Sequence, residues 1–200
     1  MDDPHQTAPR RRLRADARRS IAAILDAAGV LLAERRDASM EDIAAKAGVT
    51  RQTVYAHFAS RDALVSALAE AASSEYLAAL DEADLDAGPP AEALARFLGA
   101  GWQFLLRHPL LLDPTVPGAP RPGQNALSEV VPPRLERLVH RGQQEGVFDR
   151  SHPAGWLAAA VIGLQHTAAA EAAAHRLTTS AAEALCLESA QRLCGGSGAL

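Results

Sequence analysis

Aromatic residues are scarce in this 200-residue chain: two Trp, two Tyr and four Phe make up 4% of it. Strands draw heavily on aromatic and β-branched side chains, so this supply argues against a sheet-based fold. Alanine, the best helix former, is by contrast abundant, and an all-α protein is expected. Cysteine is nearly absent. Cys186 and Cys194 stand eight apart near the C-terminus, a spacing that fits neither a disulfide framework nor a metal knuckle. They read as small apolar residues on a helix in a reducing compartment. Long apolar runs are missing too. Nothing approaches the ~20 residues needed to cross a bilayer, and residues 1–20 are polar and basic instead of carrying the apolar stretch of a secretory signal. A cytoplasmic protein with no membrane partner is expected.

Catalytic signatures are lacking as well. There is no GxSxG, Walker loop or dinucleotide fingerprint. Seven histidines are scattered at positions 5, 57, 108, 140, 152, 166 and 175 without an HExxH or similar ligand spacing. The chain predicts no enzyme, no metal and no cofactor.

What is present is an uneven charge. The net charge of −4 looks unsuited to a polyanion, but its distribution is not. Residues 1–61 hold eleven Arg and Lys against eight Asp and Glu, whereas residues 62–200 hold nine Arg against sixteen acids. A basic end beside an acidic body localises attraction to nucleic acid.

Residues 1–16 contain Pro4, Pro9 and the basic residues Arg10, Arg11, Arg12 and Arg14 without a helical apolar period. They predict a flexible arm, a solvated tail adding non-specific attraction or, alternatively, a minor-groove arm. Ile21, Leu25, Ala28 and Leu32 share a helical face over 17–35. Ser39-Met40-Glu41-Asp42 reads as a capping box opening a short helix with Ile43, Ala44 and Ala47 inward. Gly48 stops that helix and Val49 plugs the turn. Thr50 caps a second short helix with Val54 and Phe58 inward, and Ser60 caps a third that continues to about Asp84. Further helices are expected over 91–108, from Pro133 to about 146, 154–175 and 180–193, with a proline-rich loop at 109–124.

The informative stretch is Ser39 to Leu64, SMEDIAAKAGVTRQTVYAHFASRDAL. Two short helices around a tight glycine turn form a helix-turn-helix, whose second helix enters the major groove with its N-terminal residues on base edges. With Val54 and Phe58 inward, Thr50, Arg51, Gln52, Thr53, Tyr55 and His57 are left facing out.

At these residues the chain resembles the tetracycline-repressor (TetR) family of bacterial regulators. The matching positions are Ile43, Ala44, Ala47, Gly48, Val49, Thr50, Val54, Tyr55, His57, Phe58, Arg61 and Leu64, within about residues 17–68. Gly146 to Asp149, the sequence GVFD after a basic helix, resembles the family's C-terminal region less specifically. The resemblance implies that Tyr55, His57, Thr50 and Arg61 contact phosphates, with helix N-termini assisting, and that Arg51, Gln52 and Thr53 lie nearest the bases. Two positions depart from the pattern: Gln52 stands where many members have Gly, and Arg61 where Lys is usual. The resemblance also implies a homodimer built by the last two helices, a palindromic double-stranded operator and an unidentified small-molecule effector.

The expected fold is therefore all-α, in three parts: a basic flexible arm (1–16), a three-helix helix-turn-helix DNA-binding bundle (17–64), and a larger helical ligand-sensing and dimerisation domain (65–200). Trp102, Phe104, His108, Trp156 and His166 are the candidate pocket residues, although aromatics at helical spacing also suit plain core. A repressor released by its ligand is expected, with the long helix from Arg61 as the lever. Alternatives are an activator or constitutive DNA binder of the same fold, or a helical ligand-binding protein whose helix-turn-helix is incidental.

Overall fold

The computed structural model describes residues 7–108 and 126–195, with side chains from 15 and from 127 onward in those stretches. The described residues form eight α-helices and no strand: α1 Thr7–Glu34, α2 Met40–Ala47, α3 Arg51–His57, α4 Arg61–Glu82, α5 Pro90–Arg107, α6 Ala126–Gln144, α7 Ala154–Ala173 and α8 Thr179–Cys194. The predicted proline-rich loop at 109–124 lies outside the described residues. They divide into two compact units after Glu70, six residues beyond the boundary expected from sequence. Leu64, Val65, Leu68 and Ala69 explain the difference. All four are buried, so the first turns of α4 add to the core of the first unit.

In that first unit α1, α2 and α3 pack on one another. Ile24, Leu32, Ile43, Val54, Leu64 and Val65 are fully inaccessible to solvent. Two expectations for α1 need correction. The helix begins at Thr7, so residues 7–16 are helical where a flexible arm was expected. Pro9 falls in the first turn, where its missing N–H breaks no helical bond, and arginine is a good helix former. The buried stripe centres on Ile24, Ala28 and Leu32, whereas Ile21 and Leu25 are only half-buried.

The second unit carries one apolar core from Ala72 onward, with Phe97, Trp102, Leu135, Leu138, Leu157 and Val161 inside it. Gln165 is buried there and donates from Nε2 to the Leu98 carbonyl at 2.9 Å. Gly101 makes room, because a Cβ at that position would meet the Gln165 amide at 2.5 Å. Helix α5 ends at Arg107, ahead of Pro109 as expected. Helix α6 starts at Ala126, and Pro132 and Pro133 lie inside it, whereas Pro133 was expected to open it. Two prolines remove two helical donors, so the hydrogen-bond ladder of α6 is interrupted, not begun, at that pair.

The turn from α4 to α5 is held by side chains from elsewhere in the unit. Arg96 donates to the carbonyls of Ala83, Asp84 and Ala87 at 2.6–2.8 Å. Arg141 donates to those of Leu85 and Gly88 at 2.9 Å each. Asp84 and Gly88 both have positive φ, so the turn exposes carbonyls that no helix satisfies, and the two guanidinium forks satisfy them. Cys186 and Cys194 are free and buried, and burial pushes the Cys194 thiol up to about 11.

Candidate nucleic-acid interface

The helix-turn-helix is assembled by local hydrogen bonds that its sequence specifies. Ser39 has extended backbone angles, and its Oγ accepts from the Asp42 amide at 3.1 Å. In return the Ser39 amide donates to Asp42 Oδ2 at 2.9 Å, which completes the reciprocal box. The backbone amide of Ser39, its hydroxyl and then Arg35, 2.8 Å away, hold the Asp42 carboxyl below the usual carboxylate range. Helix α2 closes on Gly48 at φ 67° and ψ 27°, whose amide donates to the Ala44 and Ala45 carbonyls. A Cβ there would meet nothing within 4 Å, so this glycine is required by the left-handed backbone alone.

Thr50 caps α3, its Oγ1 accepting from the Thr53 amide at 3.1 Å. Val54, fully buried, and Phe58, nearly so, anchor the inner face. Ser60 Oγ accepts from the Ala63 amide at 3.1 Å and caps α4. With the inner face fixed, Thr50, Arg51, Gln52 and Tyr55 are exposed, and Thr53, His57 and Arg61 are half-exposed. All seven predicted DNA-contact residues thus lie in one stretch from the cap of α3 to the start of α4.

Four of these side chains already make polar contacts within the protein. The Thr50 and Thr53 hydroxyls lie 2.8 Å apart. One of the two hydroxyls donates to the other, and the accepting one keeps its own proton for a further acceptor. Arg61 donates to the Arg36 carbonyl, leaving part of its fork for a phosphate. Arg51 is ion-paired with Glu41 in the first turn of α2, and its guanidinium carbon lies 5.3 Å from the centre of the Tyr55 ring. In the sequence Glu41 reads only as part of the Ser39–Asp42 capping box, and its place ten residues before Arg51 is the one signal of the pair.

The five candidate pocket residues do not come together. Trp102 and Phe104 are buried in the core, and Phe104 stacks on Tyr76 at 4.7 Å and tilts on His108 at 5.2 Å. Trp156 is 52% exposed and stacks on His152 at 5.1 Å, and His166 is exposed. Trp156 and His166 thus lie exposed on α7, apart from the buried group on α5. In the α5 group, Trp102 Nε1 and His108 Nε2 are buried without a hydrogen-bond partner. Glu75 Oε2 stands 3.5 Å from that His108 nitrogen. Burial pushes the His108 imidazole below the usual histidine range, outweighing the opposing pull of Glu75. Among the described residues, no group of three His, Cys, Asp or Glu is placed to hold a metal ion, and no helix is long and apolar enough to cross a membrane.

Residues 24–68 match the family model described as bacterial regulatory proteins, tetR family. Over 116 residues the chain is 38% identical to the HTH-type transcriptional repressor LfrR of Mycolicibacterium smegmatis. That stretch is 54% of this chain and 61% of LfrR, so it spans under two thirds of the relative's length. The solved structure of LfrR in complex with proflavine is 28% identical and superposes with a TM-score of 0.67, covering 91% of this chain and 98% of that one. A TetR-family regulator from Agrobacterium tumefaciens is 20% identical with a TM-score of 0.75, covering 90% of this chain and 100% of its own. PfmR from Thermus thermophilus is 21% identical with a TM-score of 0.65, covering 86% and 96%. These last two likenesses concern the fold.

Proposed function

Because this chain belongs to the TetR family of bacterial transcription regulators, we propose that it is a repressor that binds a palindromic operator as a homodimer in the cytoplasm and releases it when a small molecule binds the C-terminal unit. The observation that carries the proposal is the capped α2–Gly48–α3 arrangement. It buries Val54 and leaves Arg51, Gln52 and Tyr55 exposed on a seven-residue helix. That is the form a recognition helix takes in a major groove.

The dimer face falls on α7 and α8. Trp156 and Leu185 are about half exposed there, and Gly163 is exposed with nothing near the place of a Cβ. Small residues interspersed with large exposed apolar ones suit a second copy of the same helices. The effector is assigned to the α5 group: Trp102, Phe104 and His108, with Tyr76 beside them. The buried Trp102 indole nitrogen, which lacks a hydrogen-bond partner, and the His108 nitrogen, which has only Glu75 at 3.5 Å, suit a ligand that is mainly apolar and carries its own polar atoms. Proflavine, which LfrR binds in its solved structure, is the natural first probe. By linkage, effector and operator weaken each other's binding, with α4 as the connecting element.

The test is selection from random duplexes, followed by anisotropy titration on the winner at fixed salt. A palindrome bound far more tightly than scrambled DNA, and released by an effector found in a small-molecule screen, supports the proposal. Enrichment of nothing, with weak and salt-sensitive binding alone, removes the operator.

A further inference from the structure

Arg51 opens α3 and Glu41 sits in the first turn of α2, and their side chains are joined through Nη1 and Oε1. On another side the guanidinium lies over the Tyr55 ring, its carbon 5.3 Å from the ring centre. A guanidinium is a rigid planar fork with five N–H donors. Glu41 occupies one end, and the aromatic face constrains the plane. The donors on the remaining edge are left for an acceptor outside the protein. The side chains of Arg51 and Glu41 are 63% and 49% exposed, and a pair so exposed contributes little to folding. Its consequence is orientation. An arginine at the start of a recognition helix, free to sample its many rotamers, would have to be ordered when DNA binds. One already held by a carboxylate and a ring has lost most of that freedom beforehand.

Resting on the assignment of Arg51 as a base-contacting residue, we propose that Glu41 is a specificity-positioning residue. It fixes the Arg51 fork for a bidentate contact with guanine O6 and N7, and so sets the guanine preference at one position of each half-site without touching DNA itself. The carboxylate has a second, opposing effect. A negative charge at the DNA-facing end of α2 repels phosphates and weakens binding to every sequence. Removing it therefore moves two readouts in opposite directions. Discrimination falls, while affinity for unrelated DNA holds or rises. A residue needed only for folding weakens binding to every duplex alike, and a simple electrostatic brake, once removed, tightens every duplex alike; both leave discrimination unchanged.

The test uses the full chain and three variants, Glu41→Gln, Arg51→Ala and the double variant, on the selected operator, on the same duplex with the guanine replaced, and on scrambled DNA at one salt concentration. Glu41→Gln is expected to lose about tenfold in guanine discrimination, within the range of a good bidentate contact, with scrambled DNA bound at least as tightly as before. In the Arg51→Ala background the same change is expected to cause no further loss of guanine discrimination. Wild-type discrimination in Glu41→Gln overturns the proposal, as does equal tightening on all three duplexes. If Arg51→Ala leaves the sequence preference unchanged, the base-contact assignment itself fails and this proposal falls with it. Glu41→Ala removes the same carboxylate by another route, and the helical circular dichroism and melting temperature of each variant show that the fold is retained.

Discussion

Phe148 occupies the space that a side chain on Gly142 would need. A Cβ on Gly142 would stand 2.1 Å from Cδ2 of the Phe148 ring. The ring has little room to retreat. It is 6% exposed, and the amides of Val147 and Phe148 both donate to the Gly142 carbonyl, at 2.9 and 3.0 Å. Gly142→Ala is therefore expected to destabilise the fold by about 1–3 kcal/mol, the usual cost of overpacking, measured by urea or guanidinium unfolding. A change near zero would mean that the ring swings aside freely.

Gly48 is a contrasting glycine, since open space surrounds it and only its φ of 67° is restrictive. Gly48→Ala is expected to cost about 1–2 kcal/mol from the left-handed backbone alone. Gly48→Asn, whose side chain tolerates that region, is expected to cost less. Equal losses for the two would indicate a steric cause. Unfolding midpoints at constant slope supply the comparison.

Arg61 and Gln52 should separate electrostatic from sequence-specific binding. Arg61→Ala is expected to weaken binding to all duplexes and to reduce the salt slope by about 1. Gln52→Ala is expected to change which base is preferred. Anisotropy over a range of salt concentrations, repeated on single-base operator variants, reads both. A uniform effect of Gln52→Ala across the variants would remove it from the base-contacting set.

His108 predicts a pH dependence of known sign. Its folded-state pKa lies below the ordinary value of 6.5 because of burial. Near and below that value the unfolded chain binds more protons than the folded one, so stability falls on acidification. The contribution is fully present above about pH 6.5 and is lost as the pH drops toward the folded value. His108→Gln is expected to flatten the stability curve between about pH 7.5 and about pH 5.5, followed by denaturant titration at each pH. Parallel curves for the two proteins would show that the imidazole is as well solvated folded as unfolded.

The parts of this protein legible in its sequence are those set by neighbours three or four residues apart. The Ser39 box, the Thr50 and Ser60 caps, the Gly48 stop and the inward pair Val54 and Phe58 are short-range bonds or helical spacings, and the structure has each of them. The recognition surface follows by subtraction, as what the inner face leaves over. What escaped depends on partners distant in the chain. Ile24 and Leu25 are equally apolar, and only the packing of α1 decides which is inside. Trp156 reads as a pocket residue because tryptophan is usually sheltered, yet its place on α7 leaves it half exposed. Arg51 was legible as a candidate DNA contact, but its union with Glu41 needed α2 and α3 to be set side by side.

The turn between α4 and α5 shows how shape and sequence can part company. Its form is held through main-chain oxygens, which every amino acid offers alike, by Arg96 and Arg141 lying outside it. Its exposed residues Asp86 and Ala87 are thereby free to drift or to be redesigned while the bend persists, whereas Leu85 is buried in the core and Asp84 and Gly88 have unusual angles. The constraint has moved to the two arginines. A lysine at either place keeps the charge but offers one ammonium where a planar fork reaches several carbonyls. A mutational scan of this segment would accordingly find tolerance at Asp86 and Ala87 and intolerance at two positions outside the turn.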